Sequence, residues 1–456
     1  MSWVAHEVAG CRLKDQRLQQ RLAVIVERLG AKPTASIPAA CHSWGETQAT
    51  YRFLSNERIE AAELLEGHGQ ATVQRIAAEP VVLIVQDTTF LEYIKDGMGK
   101  GVGTLRETIR DEHLLHPSVA FTPARVNLGV LHHRFWQRPE EPVGHLRAQR
   151  PIEDKESYRW LLGYNVACEV QRRCPQTLVI SVADREGDIH EWFLAAAERA
   201  EEERAAFVIR AKCNRRIAAQ PQDTYLWEAL TEAPALGQTT VEVSAQAGRT
   251  ARQARLTVRT RVVTFNRGRR RGGHLPPVSV QGVYVKEDTP PPGEEPLEWM
   301  LLTNLPVDDF PMAELIIHWY QARWEIELYF RVLKQGCQIE KLRLEAPERL
   351  ERCIAVYMII AWRLHHITQV ARAYPQGPCT AVFAVKEWQT IYLLQKKKRP
   401  PSKPPSLRTM TRMLAQLGGF LARRGDGEPG VETIWRGYME MMRAVHTLTL
   451  ARAVGL

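Results

Sequence analysis

The sequence predicts an α/β fold with helical regions at both ends, and three features of its hydrophobic pattern support this prediction. Two short runs, residues 81–85 and 178–182, are almost wholly apolar, as in strands that are buried on both faces of a sheet. Between about 213 and 300, apolar and polar residues alternate between turns rich in Gly and Pro, which is typical of antiparallel strands. Helical spacing of apolar residues before residue 75 and after residue 312 predicts helices on both sides.

The composition is that of an ordinary globular protein. The 456 residues correspond to about two to four domains, and 45% hydrophobic with 25% charged residues excludes a largely disordered or fibrous chain. No apolar run approaches the ~18 residues that a membrane-spanning helix needs, and the start of the chain lacks the pattern of a secretory signal, so we expect a cytoplasmic protein without a membrane partner. The eight cysteines include no Cys-x-x-Cys pair, which predicts reduced thiols rather than a zinc site or disulfides.

The first 75 residues are predicted to be helical. One helical face is marked by Leu18, Leu22, Ile25 and Leu29, which recur at the spacing of a helix. Residues 1–70 carry eight Lys and Arg residues and eight Asp and Glu residues. Charge alone therefore gives no reason to assign a nucleic-acid-binding role to this region.

Each of the two buried runs is followed by an aspartate, Asp87 in one case and Asp184 in the other. Ligands of open sheets flanked by helices bind beyond the carboxyl ends of the strands, so these carboxylates are candidates for holding a cation. The alternative for each is an aspartate that only caps the following helix. Glu186 and Asp188 lie close to Asp184 in the chain, and spacing alone does not choose among the three.

A long amphipathic helix is predicted from about residue 312 to residue 335, with Gly336 as its C-cap. At 100° per residue, four polar side chains fall within an arc of about 60° on this helix. They are Tyr320, Arg323, Glu327 and Lys334. The alternative for Glu327 is an ion pair with Arg323 or Arg331 on a solvated face.

The net charge of +9 is concentrated at the C-terminal end of the chain. Residues 377–456 carry 13 Lys and Arg residues against five Asp and Glu residues, and they include the basic run 396–399. This distribution favours a polyanionic partner, nucleic acid first and an acidic membrane surface second, although a solvated basic loop fits the run equally well. A second basic cluster, residues 267–273, lies within the predicted antiparallel strands.

These residue types suit phosphodiester chemistry. Hard carboxylate oxygens prefer Mg²⁺ or Mn²⁺, and two such ions held by three acidic residues can activate an attacking oxygen and stabilise a leaving one. Arginine and lysine side chains beside the carboxylates would bind the neighbouring phosphates.

The spacing Tyr320-x2-Arg323-x3-Glu327-x6-Lys334 resembles the signature of the DDE transposases of the bacterial insertion-sequence-four family. Further blocks that resemble this family follow in its order along nearly the full chain. They include Gln86-Asp87-Thr88-Thr89, Val182-Ala183-Asp184-Arg185-Glu186-Gly187-Asp188-Ile189-His190, Phe207-Val208-Ile209-Arg210-Ala211-Lys212 and Trp299-Met300-Leu301-Leu302-Thr303. Agreement of this extent is not expected by chance.

The resemblance implies three regions. The first is a helical domain at 1–70 that recognises the ends of the mobile element. The second is an RNase H-like catalytic core at 71–372, a mixed sheet flanked by helices, with an antiparallel β-domain inserted at about 213–300. The third is a helical dimerisation domain at 373–456.

The resemblance also implies the roles of the site residues. Asp87, Asp184 and Glu327 would form the catalytic triad that binds two Mg²⁺ ions per active site, which Mn²⁺ can replace, whereas Asp188 would not be a ligand. The residues implied to contact phosphates at the element end are Tyr320, Arg323 and Lys334. The positions near the bound strand, with a weaker correspondence, are Arg210, Lys212, Arg343 and Glu345.

Members of the family that this sequence resembles cleave DNA through a hairpin intermediate. Such a hairpin bends the DNA end tightly, so a base must be extruded and held against an aromatic ring. The family's stacking residue corresponds to Trp299, with Trp324 as its companion on the helix. The alternative for both is a core indole, which is the commoner fate of a tryptophan.

The function that the resemblance implies is cut-and-paste transposition. A homodimer would bind double-stranded DNA at the transposon ends in a synaptic complex, hydrolyse one strand, form and open a hairpin, and transfer the ends into target DNA at the bacterial nucleoid. Two alternatives are a metal-dependent nuclease on the same core and a DNA-binding relative without catalysis.

Overall fold

The computed structural model describes residues 3–96, 108–137, 151–218, 224–243, 250–266, 269–270, 273–344 and 346–454. The chain forms two compact units. The first unit consists of Met1–Ile76, Thr88–Arg138 and Glu325–Leu456, and the second consists of Ala77–Asp87 and Pro139–Trp324.

The helices are α1 (Trp3–Val8), α2 (Gln16–Ala31), α3 (Ile37–Ala40), α4 (Trp44–Leu54), α5 (Ala61–Ile76), α6 (Tyr158–Arg173), α7 (His190–Ala197), α8 (Leu226–Thr231), α9 (Phe310–Gln321), α10 (Glu325–Arg331), α11 (Pro347–Ala373), α12 (Val385–Lys396), α13 (Leu407–Leu417) and α14 (Val431–Ala453). The strands are β1 (Val81–Gln86), β2 (Thr89–Asp96), β3 (Thr108–Phe121), β4 (Asn127–Trp136), β5 (Leu178–Ala183), β6 (Ala206–Arg210), β7 (Arg216–Ala218), β8 (Thr224–Tyr225), β9 (Ala235–Val243), β10 (Arg252–Phe265), β11 (Arg269–Arg270), β12 (Gly273–His274), β13 (Val278–Glu287) and β14 (Glu298–Thr303).

The first unit is built around α11, a helix of 27 residues whose side chains are buried on nearly all sides. It packs against α2, α5, α13, α14 and β4. A helix that is buried all round must satisfy its polar groups inside the protein, and Arg352 does so by donating to the carbonyl oxygens of Leu54 and Ile59. The antiparallel strands β2, β3 and β4 complete this unit.

A buried polar network joins α1, α5 and β4. The Glu7 carboxylate accepts hydrogen bonds from His68 Nδ1 at 2.5 Å and from Arg75 at 2.8 and 3.1 Å, and His68 Nε2 accepts from the Val130 N–H at 3.0 Å. Burial alone would raise the pKa of Glu7, but the hydrogen bonds and charges of His68 and Arg75 hold it well below its usual range. The N-terminal helices are therefore tied to the rest of the first unit.

The second unit contains a mixed sheet. Strands β1, β5 and β6 are parallel neighbours, and β14 then pairs with β6 in the antiparallel direction. Strands β13 and β10 continue the sheet beyond β14, with β9 and β7 both paired to β10. Helix α6 packs against β1 and β5, and α9 packs against β5 and β6.

The two strands predicted from the apolar runs are confirmed as β1 and β5, and antiparallel strands occupy the region predicted for them. Those antiparallel strands were expected as an inserted domain. In the second unit they continue the same sheet as the parallel strands, because β14 pairs directly with β6.

The helix predicted over 312–335 is interrupted twice. A 3-10 turn, Ala322–Trp324, separates α9 from α10, and a π-helical turn, Val332–Gly336, follows α10. Because these turns change the rotation per residue, the arc of about 60° computed for a continuous helix is wrong. Gly336 is also not a C-cap, because it is the last residue of the π-helical turn, its φ is not positive and Cys337 caps the turn. A Cβ at Gly336 would lie 3.0 Å from the Trp435 ring, so close packing against α14 explains the glycine.

Two further findings concern the composition. The eight cysteines are all free thiols, six of them buried, as predicted. Within the described part of the chain, no helix is both long enough and apolar enough to cross a membrane.

Candidate functional site

The strand register places Asp87 and Asp184 side by side. Strands β1 and β5 are parallel, and each paired residue lies 97 positions after its partner, as Val182 does from Val85. Asp184 lies 97 positions after Asp87, and each is the first residue after its strand. Since neighbouring strands lie about 4.8 Å apart, the two aspartates occupy adjacent positions at the carboxyl edge of the sheet.

The residues just before the aspartates hold this edge in place. The side-chain amide of Gln86 is buried and donates to Ser181 Oγ on the neighbouring strand at 2.9 Å. Gly163 of α6 makes room for Gln86, because a Cβ at that position would lie 2.0 Å from the Gln86 Oε1 atom. Close helix packing therefore fixes the residue that precedes Asp87.

The loop after β5 gives its acidic residues different environments. Asp184 accepts a hydrogen bond from the Glu186 N–H at 2.8 Å and so caps a 3-10 turn, which is the capping alternative raised for it from the sequence. The Asp188 carboxylate is fully buried and accepts from the N–H groups of Lys212 and Cys213 at 2.7 and 3.0 Å, and from the Arg215 guanidinium. Asp188 thus has its oxygens committed to protein donors.

Asp87 is paired with Arg323. The Arg323 Nη1 atom lies 2.8 Å from Asp87 Oδ2, and both side chains are largely shielded, at 16% and 17% exposure. Arg323 lies in the 3-10 turn that follows α9. Arg323, a predicted DNA-contacting residue, is therefore hydrogen-bonded to Asp87, a predicted metal ligand.

Tyr320 and Trp299 form a second contact in the same unit. Their ring centroids lie 5.6 Å apart at an interplanar angle of 65°, an edge-to-face arrangement that stabilises aromatic pairs. Burial raises the pKa of Tyr320, and the positive charges of Arg323 and Arg210 oppose this shift. Tyr320 therefore carries a neutral hydroxyl close to the positive charges of Arg323 and Arg210.

Four candidate residues lie on, or directly after, four neighbouring strands of the sheet. Asp87 and Asp184 follow β1 and β5, and Arg210 is the last residue of β6. Trp299 lies at the start of β14, which runs antiparallel to β6 and therefore presents its first residues at the same edge. At about 4.8 Å per strand, the backbone positions from Asp87 to Trp299 span roughly 14 Å.

A cavity of about 530 Å³ opens beside this edge of the second unit. Arg185, Arg210, Trp227 and Trp299 line it, together with Glu295 and Glu298. Trp227 is 40% exposed, and sequence reasoning missed it. The sequence shows only an aromatic residue within the region predicted to form antiparallel strands. An exposed tryptophan and a buried one look alike in such a region.

The other predicted residues are divided between the two units. Trp324 is 48% exposed at the end of the second unit, and Lys212 is exposed after β6. In the first unit, Glu327 is half-buried on α10, Arg343 is exposed, and the Lys334 Nζ atom lies 3.3 Å from a carboxylate oxygen of Glu340. Glu345 and most of the basic cluster 267–273 lie outside the described residues.

The donor set at the edge of the sheet fits a hard divalent cation. Asp87 and Asp184 supply carboxylate oxygens from adjacent positions, which Mg²⁺ and Mn²⁺ prefer over nitrogen or sulfur donors. Among the described residues, no three His, Cys, Asp or Glu side chains form a complete metal-binding cluster. Within the second unit, Asp87 and Asp184 are the candidate metal ligands.

Three regions of the chain match known protein families. Residues 1–59 match the Transposase DNA-binding family, residues 171–363 match the Transposase DDE domain, and residues 359–455 match the Transposase Tn5 dimerisation domain. The chain therefore resembles transposases in three regions, the longest of which is similar to the DDE domain. The DDE-domain match includes Asp184 and Glu327, whereas Asp87 precedes it.

Two curated relatives are named as transposases. The chain is 34% identical over 76 residues to the putative transposase InsL for insertion sequence element IS186A of Escherichia coli strain K12, and equally to the transposase for insertion sequence element IS421 of Escherichia coli. The matched stretch covers 17% of this chain and 20% of each relative's length. Similarity to these relatives is therefore confined to a short segment.

Proposed function

We propose that the protein is a cut-and-paste DNA transposase. It binds the ends of a mobile element, cleaves them through a hairpin intermediate and transfers them into target DNA. The proposal is supported above all by the DDE-domain match over residues 171–363, which contains the sequence Tyr320-x2-Arg323-x3-Glu327-x6-Lys334. The adjacent positions of Asp87 and Asp184 support it independently.

The proposed catalytic acids are Asp87, Asp184 and Glu327. They would hold two Mg²⁺ ions, or Mn²⁺ in their place, and the ions would supply Lewis-acid activation of the attacking and leaving oxygens. Asp188 is left out of this set because its oxygens are committed to Lys212, Cys213 and Arg215.

The cationic side chains bind and orient the DNA backbone. Arg323 presents a planar guanidinium that suits a phosphate, and Lys334 adds a point charge. The raised pKa of Tyr320 keeps its hydroxyl protonated, so it donates a hydrogen bond to a phosphate oxygen. Arg210, Lys212, Arg343 and Glu345 are proposed to lie along the bound strand.

The cavity beside Trp299 is proposed to hold the base that a hairpin extrudes. A ring of this type stacks on a base with about 1–3 kcal/mol of stabilisation, whatever the base. Neither Trp299 nor Trp324 is a fully buried core indole, and Trp227 supplies a second aromatic wall of the cavity. Arg185 and Arg210 also line this cavity.

The remaining regions are proposed to recognise and pair the element ends. Residues 1–70 would read the end sequence, residues 71–372 would carry the catalysis, and residues 373–456 would join two copies in the synaptic complex. The matches to a transposase DNA-binding family at 1–59 and to a dimerisation domain at 359–455 support this division. The site of action would be the DNA of the bacterial nucleoid.

The test is cleavage of the protein's own element. Purified protein and Mg²⁺ are incubated with a labelled DNA fragment that spans both flanks of the gene, and the products are separated on a denaturing gel. We expect nicks and hairpin-sized products with the wild type and none with Glu327→Ala. The control is Glu314→Ala, which removes an exposed carboxylate from α9 and is expected to cleave normally.

Two other outcomes identify the alternatives. Nicks without hairpins, together with no joining of ends, indicate a metal-dependent nuclease on the same scaffold. A gel shift without any cleavage in Mg²⁺ or Mn²⁺ indicates a DNA-binding relative that lacks catalysis. Equal cleavage by the wild type and Glu327→Ala would contradict the proposed triad.

A further inference from the structure

The ion pair between Arg323 and Asp87 brings two proposed functions into conflict. Arg323 Nη1 lies 2.8 Å from Asp87 Oδ2, and each side chain is less than one-fifth exposed. Partial shielding lowers the effective dielectric, so opposite charges at this distance attract more strongly than at a fully exposed site. The pair is a defined feature of the second unit, since both residues lie within it.

Asp87 is also one of the carboxylates that would hold a divalent cation. A cation bound there would lie next to the positive guanidinium, and like charges at that range repel. A guanidinium bound to a DNA phosphate, in contrast, has its charge neutralised by another partner. Asp87 should therefore bind a metal ion less tightly while Arg323 stays paired with it.

We propose that Arg323 competes with the divalent metal ion for Asp87, so that DNA-phosphate binding to Arg323 and metal binding to Asp87 favour each other. This inference rests on the proposed function, because it concerns the same metal ligand and the same phosphate contact. Arg323 acts here as a positioning residue in the free protein and as a phosphate ligand in the DNA complex.

The coupling has a reciprocal consequence. If DNA raises the affinity for metal, metal must raise the affinity for DNA by the same factor. The protein without DNA would then bind the catalytic ions weakly, and metal binding would be complete only where a phosphate backbone has drawn Arg323 away.

The test measures Mn²⁺ binding to the protein without DNA. Electron paramagnetic resonance of the free Mn²⁺ signal gives the dissociation constant for the wild type and for Arg323→Gln. Couplings between sites are typically 5- to 150-fold, so we expect Arg323→Gln to bind Mn²⁺ at least roughly five-fold more tightly. Arg323→Lys keeps the positive charge and should stay close to the wild type.

Two controls separate competition from general electrostatics. Arg210→Gln removes another positive charge that acts on Tyr320. The Arg210 side chain donates a hydrogen bond to the Glu298 carbonyl oxygen rather than to Asp87. Arg210→Gln should change the Mn²⁺ affinity far less than Arg323→Gln does. The double variant with Asp87→Asn and Arg323→Gln should lose the gain, because the contested carboxylate is gone.

A DNA arm tests the coupling itself. A 30-base-pair duplex from the gene's flank should tighten Mn²⁺ binding to the wild type and have a much smaller effect on Arg323→Gln. Equal Mn²⁺ affinities of the DNA-free wild type and Arg323→Gln, or an equal gain in Arg210→Gln, would overturn the inference. Either result would overturn the inference without affecting the proposed function, since the wild type could still cleave DNA. The proposed function itself would be contradicted only by absence of cleavage with the wild type.

Discussion

Replacing Asp188 with Asn tests whether the loop after β5 separates a structural aspartate from a functional one. The Asp188 side chain is fully buried, and its carboxylate accepts from two backbone N–H groups and from Arg215, whose side chain is 17% exposed. An asparagine offers a single acceptor oxygen and an NH₂ group that cannot accept from the remaining donors. The substitution therefore leaves a shielded guanidinium without its counter-charge.

The size of the effect follows from this geometry. Breaking a buried ion pair by removing one partner costs about 3–5 kcal/mol. For a unit of 150–250 residues, each kcal/mol lowers the melting temperature by about 2–4 °C, so Asp188→Asn should lower the melting temperature of the second unit by roughly 6–20 °C. Asp184→Asn is the matched control, because Asn remains a good capping residue for the Glu186 N–H.

The assay follows thermal unfolding by differential scanning fluorimetry and Mn²⁺ binding well below the melting transition. Asp188→Asn should melt early yet still bind Mn²⁺, whereas Asp184→Asn should melt near the wild type and lose binding. The reasoning is refuted if Asp188→Asn melts within about 2 °C of the wild type. It is also refuted if the folded Asp188→Asn variant loses Mn²⁺ binding as completely as Asp184→Asn does.

Two further predictions concern the cavity and the pH dependence. Trp227→Ala should leave the first nick intact but reduce the hairpin yield on a denaturing gel. The control Tyr225→Ala should cleave normally, because Tyr225 is an exposed aromatic residue two positions away that does not line the cavity. Equal hairpin yields from the wild type and Trp227→Ala would exclude Trp227 from base binding. Acid should destabilise the first unit, because burial lowers the pKa of His366 to about 3 and the unfolded chain therefore binds the proton more readily. Each pH unit below the ordinary value of about 6.5 should cost about 1.4 kcal/mol for this residue, and an equal melting temperature at pH 7 and pH 5 would contradict that expectation.

The buried strands and their aspartates were predictable because the signal is local. A strand buried on both faces needs apolar residues at every position, so β1 and β5 stand out as continuous runs, and the polar residue that ends each run marks the edge of the sheet. The parallel register with its offset of 97 residues was not predictable, since it depends on pairing across most of the intervening chain.

The interrupted helix shows the opposite case. No Pro or Gly lies between residues 312 and 335, so propensity and periodicity indicate one continuous helix. The 3-10 turn at Ala322–Trp324 coincides with a tertiary contact, the approach of Arg323 to Asp87. Contacts of this kind override local propensity and leave no mark in the sequence.

The choice between Asp184 and Asp188 also depends on tertiary contacts. Both follow the same strand within five residues, and both are aspartates. Their environments differ because Arg215, 27 positions after Asp188, returns to bind it. Only the fold distinguishes the aspartate that holds the loop together from the one that is proposed to bind metal.

The antiparallel strands contribute directly to the proposed site. Strand β14 pairs with β6, with Leu301 opposite Arg210, and the Ala211 N–H donates to the Met300 carbonyl oxygen at 2.7 Å. This pairing brings Trp299 to the edge that already carries Asp184 and Arg210. A single sheet therefore positions two of the three proposed metal ligands and the proposed base cavity together. Because Trp299 lies on a different strand from the aspartates, loss of its indole should impair hairpin formation without abolishing the first hydrolysis.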